Sequence, residues 1–257
     1  MRDAQGKTWD PAQYDKFKDE RERPFYDLLS LIRTPIASIL DLGCGTGALT
    51  RKLHDQLLAH KTVAIDSAAT MLDKAKQHAT SSLSFERHDI AHYETKERFD
   101  LVFSNAALQW VPDHPRLFPR IFSWVKSTGQ VAIQMPCNFD HVSHVLAAEV
   151  AVDLFPDDFK PHHRFDHTLM LTDYAELLYQ HGFHEMVCRI QVYGSLMPSG
   201  LDVIEWVKGT LMNFYRLRLN PHDYAHFEKA YAARMAEALG TQPYFYAFKR
   251  MLLWGRR

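Results

Sequence analysis

Three glycines at alternate positions follow an acidic residue in the segment Asp41-Leu-Gly-Cys-Gly-Thr-Gly47. Such glycines let the backbone turn tightly and approach a ligand closely. A helix that begins behind them offers unpaired N–H groups to an anion. Asp66 ends the next apolar run, where a carboxylate can accept hydrogen bonds from both ribose hydroxyls of an adenosine group. Together the two features predict a binding site for a nucleotide-like cofactor.

The glycines alone do not decide which cofactor binds. The stretch Gly43-Cys-Gly-Thr-Gly-Ala48 also fits the loose G-x-G-x-x-A pattern of dinucleotide-binding enzymes. Asp41 favours another ligand, because a carboxylate at the end of an apolar strand is costly unless a cation or a hydrogen-bond donor meets it. A ligand of the amino-acid type, with an ammonium group and a carboxylate, would supply that partner.

The elements that must position these residues alternate between strands and helices. Apolar runs over 38–42, 62–66, 83–87, 99–104 and 130–135 predict strands, and apolar residues at helical spacing predict helices over 48–59, 68–79 and 113–126. This order predicts an α/β fold with a doubly wound, mostly parallel, Rossmann-like sheet. Two more strands are predicted at 185–193 and 244–254.

Two helical segments are predicted outside this alternation. Residues 198–240, between the last two strands, should form a lid over the carboxyl ends of the sheet within a single domain of residues 1–257. Residues 1–33 should form an N-terminal helical segment that breaks near Arg23, because the residue before Pro24 avoids the helical region.

The composition excludes several classes of protein. The 257 residues are 46% hydrophobic and have a net charge of −1. Proteins that bind nucleic acid or anionic membranes normally carry an excess of basic residues, and this chain has none. The three cysteines (Cys44, Cys137 and Cys188) form no metal or redox spacing. We therefore expect a cytoplasmic protein with no metal, no nucleic-acid partner and no membrane partner.

Four motifs in this order resemble those of the class I S-adenosylmethionine-dependent methyltransferases. They are the glycine segment, Asp66-Ser-x-x-x-Met71, His88-Asp-Ile90 and Ser104-Asn-Ala106. The resemblance implies that S-adenosylmethionine is the cofactor and S-adenosylhomocysteine the product. It places Asp66 on the ribose, Met71 and Ile90 on the adenine, Asp89 on the adenine amino group, and Gly43 and Gly45 at the methionine part. The cofactor-binding residues that it implies are Asp41, Gly43, Cys44, Gly45, Gly47, Asp66, Ser67, Met71, Asp89, Ile90, Asn105 and Ala106.

Segments outside these motifs resemble the trans-aconitate methyltransferases. They include Trp9-Asp-Pro-x-x-Tyr14, Glu20-Arg21-x-Arg23-Pro24 and Ser104-Asn-Ala-Ala-Leu-Gln-Trp-Val-Pro-Asp-His114. The core of the last segment is also similar to biotin-pathway enzymes that methylate a malonyl thioester on a carrier protein. Both relatives esterify a carboxylate. The substrate-binding residues expected on this basis are Tyr14, Arg21, Arg23, Gln109, Trp110 and His114.

The chemistry implied by the resemblance needs no general base. A carboxylate with a pKa of ~4 is already ionised at neutral pH. The protein therefore has only to align the reactants and to exclude water. No catalytic residue is assigned; Asn105, Gln109 and Trp110 should position the reactants, and arginines should clamp the substrate carboxylates.

Alternatives to trans-aconitate remain open at this stage. Where trans-aconitate enzymes carry an arginine, this chain has Asn213, and Arg216 or Arg218 could reach the same space. The alternatives are methylation of a malonyl thioester on an acyl-carrier protein and a cofactor-binding regulator without turnover. His114 as a structural hydrogen-bonding residue is weighed against substrate binding.

Overall fold

A computed structural model describes residues 18–161 and 167–257, with side chains from Glu22 onward. Within these ranges the chain alternates between helices and strands over its first half, as the apolar periodicity predicts. The helices are α1 (Lys18–Leu29), α2 (Ala48–Gln56), α3 (Ala69–Ala75), α4 (His114–Ser123), α5 (Val142–Leu154), α6 (Leu171–Gln180), α7 (Asp202–Lys208), α8 (Leu211–Arg216) and α9 (Pro221–Leu239). The strands are β1 (Ser38–Leu42), β2 (Lys61–Asp66), β3 (Leu83–Arg87), β4 (Phe99–Asn105), β5 (Val125–Pro136), β6 (Glu185–Met197) and β7 (Tyr244–Arg256).

The described strands form one seven-stranded sheet in the order β3-β2-β1-β4-β5-β7-β6. Strands β1 to β5 run parallel to one another, and β7 lies antiparallel to β5 with Pro136 opposite Arg250. The strand order reverses direction at β1, because β2 lies on one side of β1 and β4 on the other. This is the doubly wound, mostly parallel sheet that the sequence predicts, and ligands of such sheets bind at the carboxyl ends beside this point.

The chain divides into two compact units. The sheet unit comprises residues 22–136, 167–191 and 250–257, and the helical unit comprises the described parts of 1–21, 137–166 and 192–249. In the sheet unit, buried apolar side chains of β1, β4 and β5 meet α1, whose Phe25 ring lies 5.8 Å from the Phe103 ring. In the helical unit, the rings of Tyr215 and Phe227 stack at 4.5 Å, and Tyr231 continues the row. Each unit therefore has its own apolar core.

The structure differs from the sequence predictions at the N-terminal helix. The expected break near Arg23 is wrong, because α1 continues through Pro24 to Leu29. Proline inside a helix costs about 3 kcal/mol. Phe25 and Leu28, both fully buried, follow Pro24 on the same helix, and burying each such side chain returns about 1.5–3 kcal/mol. Packing therefore outweighs the local preference.

Other differences concern elements that the periodicity did not reveal. Helices α5 and α6 were not predicted, and β5 begins at Val125, earlier than the predicted start at 130. The helical segment predicted over 198–240 consists of α7, α8 and α9 between β6 and β7. Its role as a lid, and the assignment of 1–257 to a single domain, stay predictions. In the described part of the chain, no helix is both long and apolar enough to cross a bilayer.

Candidate active site at the carboxyl edge of the sheet

The glycine segment turns sharply between β1 and α2. Gly43, Gly45 and Gly47 have φ angles of +86°, +55° and +77°, a region that residues with a Cβ rarely adopt. The N–H groups of Gly43 and Cys44 both donate to the carbonyl oxygen of Ile65 in β2, at 2.8 and 3.0 Å. The loop is thus anchored to the neighbouring strand, and its position depends on glycine.

The three glycines face different surroundings. A Cβ at Gly43 would lie 2.2 Å from the Cβ of Ala107, and one at Gly47 would lie 2.8 Å from the ring of Phe85. A Cβ at Gly45 would have no atom within 4 Å. Gly43 and Gly47 therefore serve close packing, whereas Gly45 leaves open space where a ligand can approach the backbone.

Asp66 ends β2 beside this loop. Its Oδ2 accepts from the N–H of Gly45 at 2.9 Å, and its Oδ1 accepts from the N–H of Ala68 at 2.8 Å. The carboxylate is only half-buried. Each carboxylate oxygen has about two lone-pair sites, so acceptor capacity remains for two hydroxyl donors. This geometry fits the ribose-binding role predicted for Asp66.

Asp41 lies deeper, at the end of β1. It is 4% exposed, and its Oδ2 accepts from the hydroxyl of Thr50 at 2.6 Å. Burial, which is the larger cause, and the negative charge of Asp66 together raise the pKa of Asp41 to about 7, although the Thr50 hydrogen bond lowers it. Thr50, which the sequence analysis missed, supplies the partner that was expected from a ligand ammonium group. That argument for the cofactor is corrected; a cofactor-binding role of Asp41 stays a prediction.

The end of β4 carries a second polar group of residues. The Asn105 Oδ1 accepts from the Nε2 of Gln134 at 2.9 Å. Ala106 has a left-handed φ of +56°, and its N–H donates to the carbonyl of Gln134. The Gln109 Nε2 donates to the Ala106 carbonyl at 2.8 Å. Hydrogen bonds on both sides therefore hold Ala106 in a conformation that costs an alanine about 1–2 kcal/mol.

Gln109 has an unused acceptor. Its side chain is 3% exposed, and its Oε1 has no hydrogen-bond partner in the described part of the chain. A buried polar atom without a partner costs about 1–3 kcal/mol. The Oε1 atom of Gln109, one of the predicted site residues, is thus available to accept a hydrogen bond from a ligand.

The side of the sheet beyond β2 offers an apolar surface and an acid. Ile90 is buried, and its Cδ1 would lie 3.7 Å from a Cβ at Gly43. Asp89 is exposed and accepts from the N–H of Ala91 at 2.9 Å. Ser67 and Met71 follow Asp66 and are half-buried. The structure thus brings Ile90 to the glycine loop, with Asp89 next to it.

His114 is held away from solvent. It is 1% exposed, its Nδ1 lies 2.5 Å from the hydroxyl of Tyr174, and its Nε2 lies 2.9 Å from the carbonyl oxygen of Leu108. Both ring nitrogens are thus engaged within the protein. These contacts favour the structural role of His114, since the ring joins α4 to the turn that carries Gln109 and Trp110. Its substrate contact stays a prediction.

The predicted arginine clamps are described only in part. Arg23, on α1, is exposed and makes no hydrogen bond or ion pair with the described residues. Its neighbour Glu22 instead pairs with Lys52 at 2.6 Å. Tyr14 and the side chain of Arg21 lie outside the described residues.

In the helical unit, Arg216 and Arg218, the two arginines near Asn213, have different surroundings. Asn213 is buried and donates to the carbonyl of Gly209 at 3.1 Å. The Arg218 guanidinium stacks on the Phe214 ring at 3.6 Å and donates to the Phe214 carbonyl. The Arg216 Nε is buried with no hydrogen-bond partner among the described residues. Arg216 is therefore the freer of the two arginines to bind an anion.

Arg250 and Gln134 are site residues that the sequence analysis did not assign. Arg250, on β7, is 6% exposed, and its Nη1 donates to the Gln134 Oε1 at 3.1 Å. Arginine in an apolar strand is a detectable signal, because charged residues are almost never fully buried unless paired. Its contact with Gln134 depends on the pairing of β5 with β7, which sequence spacing does not give.

The residues at this edge fit a cofactor with an adenosine group. The space beside the Gly45 backbone is open, and the Asp66 carboxylate can accept further hydrogen bonds. Ile90 supplies an apolar surface. The groups follow the order β3, β2, β1 and β4 along one edge of the sheet. Within the described residues, no group of three or more His, Cys, Asp or Glu side chains is placed to hold a metal ion.

Comparison with known proteins gives the class and then the family. Residues 39–129 match the Methyltransferase domain family. The fold is similar to that of the YcgJ protein from Bacillus subtilis, with a TM-score of 0.60, 12% identity and coverage of 90% of this chain and 98% of that one. It is also similar to phosphoethanolamine N-methyltransferase 2 of Haemonchus contortus in complex with S-adenosyl-L-methionine, with a TM-score of 0.55, 17% identity and coverage of 93% and 52%. The sheet unit thus contains a matched methyltransferase domain, and the chain shares the Rossmann-like fold of these structures.

Full-length relatives narrow the class. A trans-aconitate 2-methyltransferase of Deinococcus radiodurans is 38% identical over 97% of this chain and 98% of its own. One from Escherichia coli is 34% identical over the same shares. The chain belongs to the trans-aconitate 2-methyltransferase family, and the resemblance found in the sequence is confirmed.

Proposed function

We propose that this protein transfers the methyl group of S-adenosylmethionine to a carboxylate of trans-aconitate and forms a methyl ester. The observation that carries the proposal is the match to relatives named trans-aconitate 2-methyltransferase, which extends over 97% of the chain and is not confined to the glycine motif. The site supports the cofactor through Gly45, Asp66 and Ile90. S-adenosylmethionine supplies an activated methyl group when it is bound.

The residues of the chain position the reactants and do not generate a nucleophile. A substrate carboxylate has a pKa near ~4 and is ionised at neutral pH. The task of Asn105, Gln109 and Trp110 is alignment, which contributes several kcal/mol to such reactions (~7–11 in the best intramolecular cases). The hydrogen-bonded Ala106 turn joins Asn105, at the end of β4, to Gln109 in the following turn.

The test is release of S-adenosylhomocysteine in parallel reactions with trans-aconitate and with a malonyl thioester. We expect turnover on trans-aconitate and none on the thioester. Preference for the thioester would contradict the proposal, and the comparisons do not favour that alternative. Binding of the cofactor without release of S-adenosylhomocysteine would instead identify a regulator.

We propose further that Arg23 binds a substrate carboxylate. Its guanidinium is exposed and unengaged among the described residues, and arginine binds carboxylates in a bidentate manner. Arg23→Ala should raise the KM for trans-aconitate by roughly tenfold or more and leave the KM for the cofactor within about twofold. The matched control is Arg116→Ala, whose side chain is 89% exposed and pairs with Asp113. Equal changes in both KM values would place Arg23 at the cofactor instead.

None of the three cysteines forms a disulfide bond in this structure. Cysteines without disulfide bonds are typical of a reducing compartment. We propose that the protein is located in the cytoplasm. Cell fractionation followed by detection of the tagged protein tests this location.

A further inference from the structure

A chain of three side chains leads from the interior of the sheet unit to its carboxyl edge. Arg250 donates from Nη1 to the Gln134 Oε1 at 3.1 Å, and the Gln134 Nε2 donates to the Asn105 Oδ1 at 2.9 Å. Arg250 is 6% exposed, Gln134 is fully buried, and Asn105 is half-buried at the end of β4. The buried end is thus a permanent cation and the open end is an amide.

The direction of these hydrogen bonds is fixed by chemistry. A guanidinium has only donors and cannot lose its proton in a protein. Gln134 must therefore turn its oxygen to Arg250 and its NH₂ group to β4. Asn105 must in turn present its oxygen to Gln134. The amide of Asn105 is left with its Nδ2 as the group that faces away from Gln134.

The Asn105 Nδ2 has no hydrogen-bond partner in the described part of the chain. Asn105 stands on the β4 side of the glycine loop, opposite to Asp66 and Ile90 on the β2 side. A cofactor whose adenosine lies at Asp66 leaves the β4 side for the second reactant. A donor there matches the oxygen of a carboxylate, and an acceptor would repel it.

We propose that Arg250, acting through Gln134, orients the Asn105 amide so that its Nδ2 donates a hydrogen bond to a carboxylate of the substrate. The inference rests on the proposed function, since it takes the substrate to be a carboxylate. Arg250 and Gln134 are positioning residues, and Asn105 is the residue that contacts the substrate.

Gln134→Glu tests the direction of the chain with almost no change in shape. The new carboxylate still accepts from Arg250 but has no donor for Asn105. Asn105 must then reverse its amide, so that Nδ2 faces Glu and Oδ1 faces the substrate. The KM for trans-aconitate should rise roughly tenfold to a hundredfold, while the dissociation constant of S-adenosylhomocysteine stays within about twofold.

Gln130→Glu is the matched control. Gln130 lies on the same strand, is 4% exposed, and bonds to the Arg33 backbone and to the Trp254 Nε1 at the opposite edge of the sheet. This variant should lower the melting temperature and leave both constants unchanged.

Calorimetric binding of trans-aconitate to the protein loaded with S-adenosylhomocysteine gives a readout other than turnover. Weaker binding in Gln134→Glu with normal binding in Gln130→Glu supports the proposal. Equal behaviour of the two variants, or a loss confined to the affinity for S-adenosylhomocysteine, overturns it. If the wild-type protein does not use trans-aconitate, the proposed function fails by itself, and the same two variants are then compared on the malonyl thioester.

Discussion

The polar residues at the two edges of the sheet differ in whether their hydrogen-bonding groups have partners within the protein. At the amino edge, Asp100 accepts from the backbone and hydroxyl of Ser38 at 2.8 Å and from the Lys126 Nζ at 3.0 Å. Gln130 uses both ends of its amide on protein partners. At the carboxyl edge, the Gln109 Oε1 and the Asn105 Nδ2 have no partner among the described residues.

The difference shows which polar groups contribute to stability and which to binding. Buried groups with partners within the protein favour the folded state and have no capacity left for a ligand. A buried group without a partner lowers stability, and a ligand that supplies the missing hydrogen bond recovers that free energy on binding. Gln130 and Gln109, both buried glutamines in or beside a central strand, therefore differ in role between the two edges.

The largest expected contrast is in the pH dependence of stability. The pKa of Asp41 is raised by burial from its usual 3.8 to about 7, so the folded state binds a proton that the unfolded state releases. The free energy of unfolding should therefore fall as the pH rises from about 4 to about 7, by an amount on the order of 4 kcal/mol. Asp41→Asn should remove this decline. Urea unfolding at a series of pH values measures it.

Asp100 at the amino edge gives the opposite sign. Partial burial raises its pKa, but hydrogen bonds from Ser38 and Lys126 prevail and lower it below the usual value. The contribution of Asp100 to the free energy of unfolding is present above the pKa that its carboxyl has in the unfolded state. It is lost as the pH falls through the lower pKa of the folded state. A decline of stability toward neutral pH that persists in Asp41→Asn would show that another group causes it.

A smaller contrast is expected between two glycines of the same loop. Gly43→Ala places a methyl group 2.2 Å from the Ala107 Cβ at a φ of +86°, and should cost about 3 kcal/mol of stability. Gly45→Ala meets no atom within 4 Å and should cost about 1 kcal/mol. Its methyl group instead enters the space open to a ligand, so cofactor affinity should fall more than stability. Thermal unfolding and calorimetry of both variants separate the two effects, and equal losses of stability would remove the distinction.

The smallest contrast compares one carboxylate from each edge. Asp66→Ala should weaken cofactor binding by roughly tenfold or more, because it removes the predicted acceptor of the ribose hydroxyls and the acceptor of the Gly45 N–H. Asp100→Ala should lower stability by about 2 kcal/mol and leave cofactor affinity unchanged. Calorimetric titration with S-adenosylhomocysteine checks both. An unchanged affinity in Asp66→Ala would show that Asp66 does not hold the ribose.

The sequence determined the fold class, the positions of strands β1 to β5 along the chain, the glycine loop and the family. These depend on local patterns, since apolar periodicity reports which face of an element is buried and glycines at fixed spacing report a backbone turn. Asp66 was predicted from its place at the end of an apolar run that follows the glycine segment, and Ile90 from the resemblance to the methyltransferases. The same local reasoning failed at Pro24, where the burial of Phe25 and Leu28 decides the backbone.

Only the tertiary structure decided which polar atoms are engaged and which stay available. Thr50 lies beside Asp41, both nitrogens of His114 are bonded, and Arg250 reaches Asn105 through Gln134. Two of these contacts join residues that are far apart in sequence, by 60 positions for His114 and Tyr174 and by 116 for Arg250 and Gln134. The residue types are encoded locally, but the direction of each hydrogen bond is set by strand pairing and by the partner that the fold brings within reach.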